Sequence, residues 1–194
     1  MEGLSYLPLW LFIIVMVSTP GPANLLLMAA GARHGFWPLL PFLAGLVAGK
    51  LALNIAIMLG LGSVLMLNEG LRLVFTIGSA AYMSYLALQG WRGPKQGGAS
   101  AAILGVKAGL IVHPLSPKSW VMATLAYSQF AASYDSVFGQ YIIVPLSFVV
   151  VQLVFHSLWG MAGALIGQQL RQNLIMHRAL VLVTLAVILW AVLQ

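Results

Sequence analysis

Six long apolar runs constrain this chain more than any other feature. They extend roughly from Leu4 to Ala30, Pro38 to Leu65, Leu71 to Gly90, Ile103 to Ala132, Val137 to Ile166 and Ile175 to Leu193. A bilayer-spanning helix needs about 20 predominantly apolar residues, and each run meets that length. Lipid cannot hydrogen-bond an exposed backbone, so spanning segments are helices or closed barrels. Continuous apolar runs, unlike the ~10-residue alternating segments of a barrel, predict helices. The expected fold is an all-α membrane protein of about six transmembrane helices, forming a single transmembrane domain over residues 1–194. Hydrophobic residues make up 61% of the chain and charged residues only 6%, a balance that suits lipid as solvent.

The charges predict an orientation. Net charge is +6, which in a soluble chain would suggest nucleic acid, yet the basic residues lie in short gaps between apolar runs. Arg33 falls in the first connection, Arg92, Lys95 and Lys107 in or beside the third, and Arg171 and Arg178 in the fifth. Glu2, Glu69 and Asp135 fall at the N-terminus and in the second and fourth connections, and only Arg72 breaks the pattern. Lys and Arg accumulate on the cytoplasmic side, so both termini are expected to be periplasmic. The Gly-rich stretch of residues 91–102 then reads as a cytoplasmic loop between two three-span units, about 1–92 and 103–194. No Cys is present, which removes disulfides and thiolate metal sites; neither a metal nor a cofactor is expected.

Two basic residues, Lys50 and Lys118, fall inside predicted spans. At ~1.5 Å per residue both lie about 16 to 18 Å from the cytoplasmic ends near Pro38 and Lys107, close to the middle of a ~30 Å core. An ionised Lys there costs at least ~2.5 kcal/mol on insertion scales, and no Asp or Glu is expected within the membrane to offset it. Helix-end carbonyls, cavity water, loss of the proton or a bound carboxylate are the available compensations.

The first run contains Thr19-Pro20-Gly21-Pro22-Ala23-Asn24 and the fourth His113-Pro114-Leu115-Ser116-Pro117-Lys118. Paired prolines interrupt the helical ladder, and unwound backbone at membrane depth must be buried in protein or line a cavity. Pro22 and Pro117 suit the first turn of a second half-helix, with Gly21 and Ser116 as caps, so each break turns a positive helix end toward the centre. Three spans is an odd number, so two units that each open with a broken helix have opposite orientations. That is the inverted-repeat plan of secondary transporters, whose sites lie where the breaks meet.

Together these residues resemble the lysine-exporter (LysE/RhtB) family of bacterial inner-membrane proteins. The most specific element is Thr19-Pro20-Gly21-Pro22, followed by Gly35 and the series Gly45, Gly49 and Gly60. Gly78-Ser79-Ala80-Ala81-Tyr82 is similar to the family's Gly-Ala-Ala-Tyr stretch, and Trp159 with Arg171 to the end of its fifth span. The resemblance covers essentially the whole chain and implies export of amino acids by a multi-pass protein of the cytoplasmic membrane. Two departures bear on cargo. Ser116-Pro117-Lys118 stands where the family often has Asn-Pro-Lys, and Lys50 occupies a position that is acidic in exporters of basic amino acids. The inverted charge argues for neutral or acidic cargo.

The candidate substrate-binding residues are therefore Lys50, Asn54, Lys118, Asn24, His113, Ser116, Gln152 and His156, with Thr19, Pro20, Gly21, Pro22, Pro114 and Pro117 forming the breaks. Asn54 follows Lys50 by one turn and could share a polar patch with it, an interhelical hydrogen bond being an equal alternative; Gln152 and His156 repeat that spacing and are expected to face the bundle interior. If transport is coupled to a proton rather than another ion, His113, His156, a Lys or the substrate itself would have to carry it, and a neutral His113 held by backbone carbonyls is an equal alternative. Gly45-xxx-Gly49, Gly105-xxx-Gly109 and Gly163-xxx-Gly167 allow close helix approach within one bundle or across a homodimer. An amino-acid exporter working by alternating access is the leading expectation. A channel or a non-transporting scaffold is the alternative, and an intramembrane enzyme is disfavoured for want of a carboxylate, a Cys or a Ser with a positioned His.

Overall fold

The structure, a computed structural model, describes residues 6–61, 67–89, 91, 104–131, 139–170 and 174–192, and among these it is helical with no strand. The helices are α1 (Leu7–Ser18), α2 (Pro22–His34), α3 (Leu40–Met58), α4 (Glu69–Leu88), α5 (Val106–Leu115), α6 (Pro117–Leu125), α7 (Val144–Leu170) and α8 (Leu174–Val192). The residue 91–102 loop, apart from Trp91, lies outside the described residues, as do Glu2, Asp135 and Arg171.

Four helical segments are long and apolar enough to cross a membrane: Trp37–Met58, Glu69–Leu88, Tyr141–Gly167 and Leu174–Ala191. A fifth span is formed if α1 and α2, bent by 52° at their junction, are taken together. The fourth sequence run is the remaining one. Pro114, Ser116 and Pro117 divide it into α5 and α6, of ten and nine residues, neither long enough to span alone. Among the described residues the count is therefore four to five spans, with this divided segment as the difference from six.

Local sequence accounts for the helix ends. Pro22 and Pro117 begin α2 and α6, where a missing N–H costs nothing and φ is already helical. Asn68 caps α4, its Oδ1 accepting from the Leu71 N–H at 2.9 Å, and Glu69 adds a negative charge to the first turn. Gly35 ends α2 at φ 80°, a left-handed value that a Cβ would penalise.

Side chains divide as lipid demands. Leu11, Val15, Ile55, Val74, Leu146, Val154, Leu165 and Leu189 are exposed, while Asn24, Lys50, Asn54, His113, Gln152 and His156 are buried. Apolar surface on this scale fits hydrocarbon around the bundle. The two largest apolar clusters of buried residues are distinct. One joins Leu27, Leu39, Phe42, Leu46, Leu86, Val112 and Ile188; the other joins Leu9, Ile13, Val17, Met122, Val144, Phe148 and Val151.

The most extensive helix contacts are α3 with α5 and α2 with α7, and glycine makes both. A methyl group at Gly45, Gly49 or Gly109 would overlap backbone across the α3–α5 contact, at Val106, Leu110 and Phe42 respectively. Across α2–α7, Gly31, Gly163 and Gly167 meet the backbones of Gly160, Met28 and Ala32 in the same way. The small-residue faces are thus used within the chain, as van der Waals packing between membrane helices requires. Gly105 is not part of the seam: nothing lies within 4 Å of a Cβ built there.

Candidate functional site

The two breaks meet. Gly21 and Ser116 are the N-caps of α2 and α6, without a side-chain capping bond in either case. The Lys118 ammonium donates to Thr19 Oγ1 at 2.9 Å, joining the second break to the first. The backbone at Gly21 is extended, with φ −161° and ψ 168°, which any residue can adopt. Its lack of a side chain matters for space instead, since a Cβ there would stand 3.4 Å from Lys118 Nζ.

Carbonyls freed by the breaks find donors, as backbone buried in a membrane must. Asn24 Nδ2 reaches back to Val17 O at 2.8 Å and Thr19 O at 2.9 Å. The Trp159 indole donates to Ser18 O at 3.3 Å, and the Trp120 indole to Pro114 O at 2.6 Å. Each break thus carries one tryptophan donor.

A cavity of about 40 Å³ lies between the breaks, lined by Met16, Val17, Gly21, Pro22, Ala23, Asn24, His113, Ser116, Lys118, Ser119, Met122, Gln152 and His156. Six of the eight candidate binding residues are therefore brought together. The other two, Lys50 and Asn54, are buried and do not line it. Lys50 Nζ donates to Ser119 O at 3.0 Å and lies 4.3 Å from the centroid of the Phe148 ring, a carbonyl and a π-face in place of a carboxylate. Neither polar atom of the Asn54 side chain has a hydrogen-bond partner among the described residues. Of the break residues, Thr19 and Pro20 are exposed and Pro114 supplies the carbonyl held by Trp120.

Five buried polar side chains, Asn24, His113, Ser119, Gln152 and His156, form one connected network. His113 and His156 stack with ring centroids 5.6 Å apart and planes at 17°, and their Nε2 atoms are separated by 3.4 Å. His113 Nδ1 is 2.8 Å from Ser119 Oγ, and His156 Nδ1 is 2.8 Å from Asn24 Oδ1. Gln152 Nε2 lies 3.3 Å from His113 Nε2. Ser119 was not expected from sequence, yet a signal was there. Asn24 is the third residue of α2 and Ser119 the third of α6, each two positions after its proline. No cluster of three or more His, Cys, Asp or Glu suited to a metal occurs among the described residues.

Apolar exteriors, several helices long enough to span and a buried polar centre between two helix breaks define a multi-pass helical membrane protein. The family profile described as LysE type translocator matches residues 14–193, and the chain belongs to that family. It is accordingly a membrane transport protein. Comparison with curated proteins and with solved structures returned no match.

Proposed function

We propose that the chain exports amino acids or related small carboxylates across the bacterial cytoplasmic membrane by alternating access, with neutral or acidic rather than basic cargo. The observation that carries this reading is the position of Lys118. Its ammonium lines the cavity beside the N-terminus of α6 and opposite that of α2, with Thr19 Oγ1 as its partner. Glu69, at the start of α4, is the only carboxylate among the described residues. A cation flanked by two positive helix ends is suited to a substrate carboxylate.

The inverted repeat and six spans belong to the same reading. Its support is the matched pair of breaks, with Pro22 opening α2 in the first unit and Pro117 opening α6 in the second. Both glycine seams lie at the end where α2 and α7 finish and α3 and α5 begin, the cytoplasmic end if both termini are periplasmic. A cavity of about 40 Å³ admits a water or two and falls far below a small-molecule pocket of several hundred Å³. We read the conformation as sealed toward the cytoplasm, with loading requiring the seams to part.

Purified protein in vesicles loaded with unlabelled alanine, threonine, glutamate or lysine tests this. Counterflow of at least one labelled neutral or acidic amino acid, with lysine the poorest of the four, is expected. Absence of exchange for all four would favour a scaffold, and equal flux without exchange acceleration would favour a channel.

A further inference from the structure

The tautomer of His156 follows from its neighbour. Both N–H groups of the Asn24 amide face backbone carbonyls, Val17 O and Thr19 O, so Asn24 Oδ1 is an acceptor and His156 Nδ1 must carry a hydrogen. Neutral His156 then presents a bare Nε2 to His113 Nε2, 3.4 Å away. His113 has Ser119 Oγ at its other nitrogen, and a hydroxyl can donate or accept.

Counting protons on the four ring nitrogens gives the capacity. With two protons, and with the Gln152 amide turned so that its otherwise unpartnered Oε1 faces His113 Nε2, the His113 Nε2–H is shared between His156 Nε2 and Gln152 Oε1, and the Ser119 hydroxyl donates to His113 Nδ1. With three, His113 Nδ1 is protonated, the Ser119 hydroxyl turns to accept, and every ring nitrogen still has a complementary partner. A fourth proton would set two N–H groups against each other at the Nε2 contact, where Gln152 Oε1 can take the one on His113 but the one on His156 faces no acceptor among the described residues. We propose that the His113–His156 pair is a built site for one exchangeable proton, suspended between the two helix breaks through Asn24 and Ser119.

Loading this site turns one hydroxyl and moves no helix, whereas its ends are fixed to elements that alternating access must move. Asn24 and Ser119 are the third residues of α2 and α6, and His156 belongs to α7. Separation of α2 from α7 breaks the His156–Asn24 bond and frees the tautomer, so proton affinity and conformation are tied by contact. The charged groups that reach the pair are Lys50 from α3 and Lys118 from α6. Among the described residues, α1, α2 and α7 add no further ionisable side chain against it. A carboxylate drawn to Lys118 would alter the field at the pair, which links cargo to proton. That use in transport rests on the export reading above; the proton site does not.

Nitrogen-15 NMR of the full chain in nanodiscs, labelled at histidine and titrated from about pH 4 to pH 9 around an imidazole's ordinary range, reads the proton itself. His113→Gln and His156→Gln assign the signals against His34 and His177. The expected result is a neutral His156 protonated at Nδ1, and one joint transition in which the Nε2 signals of both rings move together. Replacement of either histidine should abolish that joint transition. A neutral His156 protonated at Nε2, independent transitions, or no transition would overturn the site. In vesicles, the ratio of pH-gradient-driven efflux to exchange should fall at least tenfold in His156→Gln, whereas weakened cargo binding alone would scale both fluxes equally. An unchanged ratio would overturn the role in coupling. Failure of the wild-type protein to move any of the four amino acids would instead overturn the export reading, with the NMR result standing on its own.

Discussion

At the residue scale, the two intramembrane lysines have separate surroundings and should respond differently to replacement. Lys118 faces the cavity, whereas Lys50 does not line it and is held by Ser119 O and the Phe148 ring. Lys118→Met removes the ammonium from the cavity while keeping an unbranched side chain. A charge-assisted hydrogen bond contributes about 1.5–3 kcal/mol, so apparent affinity for amino acids should fall roughly tenfold or more, and that for their uncharged amides much less. Lys50→Asp should act through the α3–α6 contact, disfavouring acidic cargo and improving the relative flux of basic cargo. Efflux measured for acidic, neutral and basic amino acids at matched membrane protein levels checks both. An unchanged ranking accompanied only by lower folded yield would assign both lysines to holding helices together. Gly21→Leu places carbon against Lys118, so it should abolish transport while insertion is retained; wild-type efflux at equal expression would show that the space at Gly21 is not required.

At the element scale, the bundle depends on two seams where helix backbones touch. Gly163→Leu and Gly109→Leu each force a side chain into the backbone of a neighbouring helix, at Met28 and at Phe42. Overpacking of this kind costs about 1–3 kcal/mol. Both variants should lose folded yield and melt at lower temperature in detergent. Gly105→Leu, on the same glycine-spaced motif but with open space around it, should melt like the wild type. Comparable losses in all three would show that glycine is needed for some reason other than the seam. The spacing of four identified the face of α3 correctly, but could not separate Gly105 from Gly109. Only the path of the facing helix does that, and α5 begins at Val106, so Gly105 lies at its cap.

At the scale of the whole molecule, the orientation of the bundle decides which side the seams close. Both termini are expected outside and the residue 91–102 loop inside, as the distribution of Lys and Arg requires. Gly98→Cys in this otherwise cysteine-free chain should be labelled by an impermeant maleimide only after the cells are opened. Labelling in intact cells would reverse the orientation and, with it, the assignment of the sealed end to the cytoplasm.

Much of this was readable from residues in order. Six apolar runs, two proline pairs and the burial of Lys50, Asn54, Gln152 and His156 follow from the cost of placing polar groups in hydrocarbon and from proline's missing donor, which are local or solvent effects. The position of Lys118 on the cavity was expected on the same grounds. Contacts between distant segments were another matter. That Lys50 faces Ser119 O, that Trp120 and Trp159 satisfy the freed carbonyls, and that Asn24 sets the tautomer of His156 depend on helix rotation and depth, which short-range periodicity leaves open. The division between one lysine that lines the cavity and one that does not was decided by tertiary packing alone, because residues 68 positions apart in the chain share a depth in the membrane without sharing a face.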